Sequence, residues 1–476
     1  MTNLQPTPRR SWPDYRAVWR WHFYAGLFCI PFVIVLSISG AIYLFKQEIE
    51  DAIEYSQNHL TDIAAPREVD AQIEAALKAN PEATFASYEL PRTITSAARV
   101  LVKQHGVTDR CYVHPTSLAV IHQVHEQDRF MRLIFRIHGE LMLGDRGSYL
   151  VELAASWTLV MLLSGLFLWW PRNAKGLGGV LYPRLRGAKN IFWRDLHGVF
   201  GMWISAFAIL LLVSGLPWSK FWGDYFRTMR QLTGTAVTQQ DWSNGSEKRA
   251  ARRSSGDHEG HTGARGNRGE DKPVDLAGVN RVAEVARGLN LAHPVLISPP
   301  QRGGTNWTVK SMAANRPLRT TIVVDSSTGA IVSREDFSDR HWVDQVVGYG
   351  IALHEGALFG RLNQLLGLLT AAGLVLLGAS GVVMWWRRRE AGSLGAPKAL
   401  TASRWSTVLA LVILALGIYL PLFGLSLVVV LLLEWSVIRR IPAARKWLSL
   451  DEPGSVPVVS TEGELSAGVL ATEEKR

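Results

Sequence analysis

Four histidines recur at matched intervals. His138 precedes the pair Ser164-Gly165 by 26 positions and Trp169-Trp170 by 31, and His354 precedes Ser380-Gly381 and Trp385-Trp386 by the same offsets. His22 stands 17 positions before Ser39-Gly40 and His197 stands 17 before Ser214-Gly215. Each of these two has a glycine four residues on, Gly26 and Gly201. A neutral imidazole is both a proton acceptor and a metal ligand. All four lie at the ends of apolar segments, where an ionisable group is costly without a partner. The repeated offsets mark an internal duplication, with two histidines in each half.

The elements that must position these residues are membrane spans. The chain has 476 residues, 47% of them apolar, segregated into long apolar runs and polar blocks. Phe23 to Phe45, Tyr149 to Trp170, Val199 to Trp218 and Leu365 to Trp386 are each about 20 residues, enough at about 1.5 Å per residue to cross roughly 30 Å of hydrocarbon. The first is longer than a signal-peptide core and lacks a small-residue cleavage site, so it reads as a retained helix.

The net charge of +10 is concentrated in short loops, which sets orientation. Arg9, Arg10, Arg16 and Arg20 precede the first span; Arg172, Lys175, Arg184, Arg186, Lys189 and Arg194 follow the second; Arg387, Arg388, Arg389, Lys398 and Arg404 follow the fourth. Positive loops stay in the cytoplasm, and this accounts for the basic balance without nucleic-acid binding. The two cysteines, Cys29 in a span and Cys111 in an outer block, form no disulfide framework or CxxC motif.

The expected order is a cytoplasmic N-terminus (1–22), a span (23–45), an outer block (46–137), a histidine segment with span two (138–170), a cytoplasmic loop (171–196) and span three (197–218). A second outer block (219–353) with a disordered insertion (244–272), a histidine segment with span four (354–386), a loop (387–404), an apolar stretch (405–438) and a tail (439–476) follow. In the first block, periodicity predicts a helix around Arg67 to Lys78 and strands near Ala98 to Lys103, Val107 to Val113 and Leu118 to Val124. The second predicts a helix from Leu276 to Leu289 and strands near Val295 to Ser298, Asn306 to Met312, Thr320 to Val324 and Ala330 to Ser333. Asp325 to Gly329 forms a hairpin turn. Both blocks are thus α+β. Asp128 to Leu143 reads as an amphipathic helix, and Gly144 to Gly147 as the break that folds it back toward the membrane. Without that break His138 would stand about 16 Å above span two. The interruption at Pro421 to Gly424 favours a C-terminal hairpin of two short helices over one span, because a hairpin keeps Arg439, Arg440, Arg445 and Lys446 inside.

This topology gathers the histidines into two pairs, His22 with His197 on the cytoplasmic side and His138 with His354 on the outer side. Paired imidazoles from facing helices axially hold b-type haem, and bundles build such sites in their cores. Gly26 and Gly201 leave room for a flat porphyrin beside the inner pair. Arg20 and Arg194 inside, and Arg136 and Arg361 among several arginines outside, are candidate partners for haem propionates, although boundary arginines also serve as topology determinants. Zinc or copper is the rival occupant, without a local HxxxH or carboxylate cluster to favour it. Single interfacial histidines need no ligand role; four at duplicated offsets favour haem. His258 and His261 read as solvated residues of the insertion. His122 and His125 in a strand, and the tryptophan pairs as interfacial anchors, take the structural reading.

The duplicated H-x-x-x-G and SG-ending spans, the His-to-SG-to-WW segments and the V-D-S-S-T-G-A-I-V hairpin resemble the PepSY-associated transmembrane family of bacterial inner-membrane proteins, over roughly residues 15 to 390. The resemblance implies an α-helical multi-pass protein, with a duplicated four-helix core and two periplasmic α+β PepSY-like domains; the C-terminal hairpin is additional. It further implies two bis-histidine b-type haems on His22, His197, His138 and His354, and reduction of a periplasmic ferric siderophore to release ferrous iron. The first block departs from the pattern, carrying His114-Pro115-Thr116-Ser117 where the second has its Asp325 turn. No flavin or nicotinamide signature occurs in the cytoplasmic loops, so the electron donor would be a separate reductase or a quinol. Two other classes stay open: a membrane-anchored binding or regulatory protein without redox activity, and a metal permease, which the scarcity of polar residues within the spans disfavours.

Overall fold

The computed structural model describes residues 15–172, 176–186, 188–235, 274–300, 304–397 and 407–450. The insertion at 244–272, with His258 and His261, and the tail after 450 lie outside them. Among the described residues the helices are α1 (Tyr15–Tyr43), α2 (Lys46–Ile53), α3 (Tyr55–Asn58), α4 (Val69–Ala79), α5 (Phe130–Glu140), α6 (Asp145–Trp169), α7 (Lys189–Gly215), α8 (Lys220–Leu232), α9 (Val279–Gly288), α10 (Trp342–His354), α11 (Arg361–Arg388), α12 (Thr407–Tyr419), α13 (Pro421–Ser436) and α14 (Pro442–Trp447). Five helical stretches are long and apolar enough to cross a membrane: α1, α6, α7 with its extension to Trp218, α11, and α13 with its extension to Arg440.

Four of these close a ring. α1 packs on α6 and α11, and α7 packs on the same two, which leaves α1 and α7 across the diagonal. Small residues permit the close approach that drives association in lipid: Gly373 admits Ile204, and Gly378 admits Ile34.

The strands are β1 (Thr84–Glu89), β2 (Ala98–Gln104), β3 (Val107–Val113), β4 (Val120–His125), β5 (Val295–Ser298), β6 (Asn306–Ser311), β7 (Thr320–Asp325) and β8 (Ile331–Asp336). They form one antiparallel sheet in the order β4-β3-β2-β1-β5-β6-β7-β8. The expected pair of separate α+β domains is therefore a single layer, joined where Tyr88 faces Ile297 and Glu89 faces Leu296. Each half would otherwise expose an edge strand with unpaired amides, and pairing β1 with β5 removes both edges. One helix from each half, α4 and α9, covers the shared core of Val69, Ile73, Tyr88, Val100, Val282, Ile297 and Trp307.

β1 escaped the sequence reading because its polar residues are buried too. Glu89 lies between Arg99 and Arg110, at 3.4 and 2.6 Å. Arg99 also binds Glu54 at 2.8 Å, and Arg129 binds Glu50, Glu54 and Glu126 at 3.0, 3.0 and 2.9 Å. This network ties the helices after α1 to the sheet and to the start of α5, the helix that carries His138. In the second half the buried pair Arg230–Asp344, at 2.6 Å, ties α8 to α10, which carries His354.

The unusual first-block turn performs the same task as its counterpart. His114 Nδ1 accepts from the amides of Thr116 and Ser117, as the Asp325 carboxylate accepts from those of Ser327 and Thr328. After α5 the chain reverses through Leu141, Met142 and Gly144, all at positive φ. Gly147 is required at this corner, since a Cβ there would meet the Glu140 carbonyl oxygen. The reversal thus comes at Leu141 to Gly144, slightly before the expected break at Gly144 to Gly147, whose last three residues already belong to α6.

At the other end of the chain, α12 and α13 meet at Leu420-Pro421, where Gly424 packs on Gly417. Tyr419 accepts from the indole of Trp222 near the sheet side, whereas Leu448, beyond α13, accepts from the Tyr24 hydroxyl near the far side. Those contacts fit the expected hairpin.

Candidate functional site: two histidine pairs on one diagonal

Each histidine sits in the same kind of seat, built by an SG pair on a neighbouring helix. His22 Nδ1 lies 3.0 Å from Ser164 Oγ and 3.1 Å from the Met161 carbonyl. His197 Nδ1 lies 3.0 Å from Ser380 Oγ and 3.2 Å from the Leu377 carbonyl. His354 Nδ1 lies 3.1 Å from Ser214 Oγ and 2.8 Å from the Leu211 carbonyl. His138 Nδ1 lies 3.1 Å from Ser39 Oγ, with the Leu36 carbonyl as its backbone partner. In all four the carbonyl belongs to the residue three positions before the serine. The following glycine receives the ring: a Cβ on Gly40, Gly165, Gly215 or Gly381 would come 3.0, 3.1, 3.2 or 3.7 Å from the imidazole Cε1.

The hydrogen-bond directions decide the tautomer. Ser164, Ser214 and Ser380 donate their hydroxyl hydrogen to the carbonyl three residues back at 2.9, 3.1 and 3.0 Å, and Ser39 donates to Val35 at 2.8 Å. Serine in a helix commonly spends its proton this way. Each Oγ can then only accept, as a carbonyl can only accept, so Nδ1 must carry the hydrogen. The lone pair is left on Nε2, the arrangement in which a second-shell acceptor fixes a metal-ligating histidine.

The seats bring the rings together in two pairs. The His22 and His197 centroids are 6.3 Å apart, and those of His138 and His354 are 6.2 Å apart. Two ring nitrogens holding one metal end-on, each about 2 Å away and about 1.1 Å from its own ring centre, place the centroids roughly 6.2 Å apart. The residues therefore fit a bis-imidazole metal centre at both places. Since His22 and Ser39 are 17 residues apart on one continuous helix, the two pairs lie about 26 Å apart along the axis. Among the described residues no group of three or more His, Cys, Asp and Glu converges as a metal site.

The sheet-side pair lines a cavity of about 1130 Å³ inside the ring of helices, somewhat above the usual range of roughly 300–1,000 Å³ for ligand and cofactor sites. Its floor is apolar, with Phe32, Val33, Leu211 and Leu374; Tyr43 and Trp218 flank the histidines. Trp218 meets His354 edge to face at 5.8 Å.

Other expected site residues are placed elsewhere. Gly26 and Gly201 open no space for a porphyrin, because Met161 Sδ and a Leu377 methyl fill it at 3.6 and 3.5 Å from where a Cβ would be; they let the seat helices approach. Arg20 donates to the Pro397 and Ser449 carbonyls, Arg194 pairs with Asp195, and Arg361 with Glu48. Arg136 and Arg361 are absent from the cavity wall, which is instead lined by Arg146, Lys220 and Arg227. His122 packs at a tilt against Tyr112 and His125 pairs with Asp109, both on the sheet. In the sequence the serines mark the repeat by their offsets from the histidines, and those fixed offsets are the signal for their role as seats.

Helical spans, a sheet on one side and paired imidazoles inside the bundle define a multi-pass membrane protein with an internal cavity beside one histidine pair. The chain belongs to the PepSY-associated TM region family, which matches residues 19–388. The match covers both histidine pairs and the whole sheet, and stops before the C-terminal hairpin. None of the curated proteins compared with the chain matches it.

Proposed function

We propose that this is a di-haem electron-transfer protein of the bacterial inner membrane that reduces a ferric siderophore on its periplasmic, sheet-bearing side and so releases ferrous iron. The observation that carries the reading is the fourfold seat, which engages Nδ1 of each ring and brings the histidines together in two pairs with centroids 6.3 and 6.2 Å apart. His22 and His197 would hold the cytoplasmic-side group, His138 and His354 the periplasmic one. Haem bound there supplies one-electron chemistry at a potential set by its ligands and surroundings.

The chain's own residues do the rest. The serines and carbonyls orient each imidazole, and the apolar floor excludes water between the pairs. The network around Arg129 and the Arg230–Asp344 pair holds the two histidine helices to the sheet. The basic loops on the far side, including Arg172, Arg184, Arg194 and Arg387 to Arg389, support a cytoplasmic location for that face. The donor is a separate reductase or a quinol. Hard oxygen ligands hold ferrous iron far less tightly than ferric iron, so reduction serves as release.

The test is a reduced-minus-oxidised visible spectrum of detergent-purified protein made with ample haem supply, beside His22→Ala and His354→Ala. Two low-spin b-type haems per chain are expected, with each variant losing about one. A colourless protein would overturn the reading in favour of a binding or regulatory role.

A further inference from the structure

The two halves differ at the rim of the sheet-side cavity. Eight positions after His138 stands Arg146, and eight after His354 stands Leu362; fourteen after, Glu152 answers to Leu368. Six and thirteen positions after Ser214 stand Lys220 and Arg227, where Ser39 is followed by Phe45 and Ala52. All four polar residues of this set line the cavity, and none of their four counterparts does.

The counterpart side is closed. Leu44 packs into the space left by Gly356 and Gly367, its carbonyl accepts from Gln364 at 3.0 Å, and Arg361 pairs with Glu48. On the charged side, Glu152 is nearly inaccessible at 2% exposure, and its carboxylate accepts from the amides of Phe221 and Trp222 at 2.9 and 3.1 Å. A carboxylate so placed caps α8, and α8 is the helix that carries Lys220 and Arg227. The Trp222 indole, donating to Tyr419 at 2.9 Å, braces the same helix against the C-terminal hairpin.

Acidic residues share this wall, but several are already engaged. Glu152 is held by the two amides, Asp145 by Lys220 at 2.8 Å, and Arg227 is paired with Asp224. Glu140 and Glu355 lie within two residues of the histidines. Arg146 is exposed and has no carboxylate partner among the described residues.

We infer that this one-sided rim, Arg146 with Lys220 and Arg227 on the Glu152-capped α8, is the binding site for the carboxylates at the edge of the tetrapyrrole held by His138 and His354. The assignment rests on the di-haem reading. Guanidinium and ammonium groups suit a carboxylate pair. The duplication places Arg146, Lys220 and Arg227 beside one histidine pair and on one side only, so the group has one orientation rather than two.

The test compares the full-length wild type with Arg146→Gln, Arg146→Gln/Lys220→Gln, Arg146→Lys and, on the closed side, Arg361→Gln. Haem per chain and the two midpoint potentials are read by spectroelectrochemistry. Removing cations beside the group favours its more positive ferric form, so one potential falls while the other stays. About a tenfold change in that ferric–ferrous equilibrium, or about 59 mV for one electron, is expected for the double variant. Arg146→Lys recovers most of the shift, and Arg361→Gln changes neither potential. Two haems with both potentials and haem retention unchanged in the double variant would overturn the rim assignment and leave the di-haem reading standing. A haem-free wild type would overturn both.

Discussion

Adding one methyl group to each seat glycine should damage the four histidines unequally, in an order set by the room around each ring. Carbon atoms pack at about 3.5–4.0 Å. The new Cβ would lie 3.0 Å from His138 Cε1 in Gly40→Ala and 3.1 Å from His22 Cε1 in Gly165→Ala, but 3.7 Å from His197 Cε1 in Gly381→Ala. The first two rings must retreat by about half an ångström to restore contact. That movement strains Nδ1 hydrogen bonds that begin at 3.0–3.1 Å, each worth about 1 kcal/mol. Disturbed second-shell partners typically cost 10–100-fold in metal affinity. Gly165→Ala and Gly381→Ala act on the same pair, so they form the sharpest comparison: at least tenfold weaker haem binding, about 1.4 kcal/mol, for the first, and near wild-type affinity for the second. Gly40→Ala should weaken the other haem alone. The assay is haem titration into purified apoprotein, followed at the low-spin bands with haem per chain quantified. Equal loss in Gly165→Ala and Gly381→Ala would refute the seat geometry.

Further expectations follow from the same contacts. Ser380→Ala should weaken its haem more than Ser214→Ala does, because the carbonyl that remains is 3.2 Å from His197 but 2.8 Å from His354; haem affinity of the two variants gives the comparison. Asp344→Ala strips the partner from buried Arg230, at a cost of about 3–5 kcal/mol. It should lower thermal stability and deplete the His138–His354 haem first, and a variant with full stability and both haems would contradict this. In the sheet, burial opposes ionisation of Glu126, yet Arg110 and Arg129 outweigh it and hold the carboxyl down at about 2. A depressed folded pKa means that the stabilisation, up to about 3 kcal/mol, is complete above the unfolded value of about 4.5 and is lost as pH falls from there toward about 2. Denaturation against pH should show this loss, and Glu126→Gln should flatten the profile in that window.

What the amino-acid order determined by itself is nearly everything local or periodic. Apolar runs long enough for hydrocarbon become α1, α6, α7 and α11, since lipid forces a backbone to satisfy its own amides. The glycine break before α6, the positions of β2, β3 and β5 to β8, and the pairing of histidines by face follow from spacing and charge. The serine offsets were equally present, but a small residue near a helix end has an ordinary packing use, so only proximity to an imidazole revealed its second role. The tertiary structure alone decided the rest. β1 pairs with β5 across about 200 residues of chain, and its buried Glu89 becomes intelligible only once Arg99 and Arg110 arrive from other strands. Gly26 and Gly201 face Met161 and Leu377 because helix rotation is set by neighbours. Nothing in the sequence separates Arg136 and Arg361 from Arg146, but the fold sends Arg361 to Glu48 and turns Arg146 to the cavity. Long side chains at a membrane boundary reach in several directions, and the nearest countercharge chooses among them.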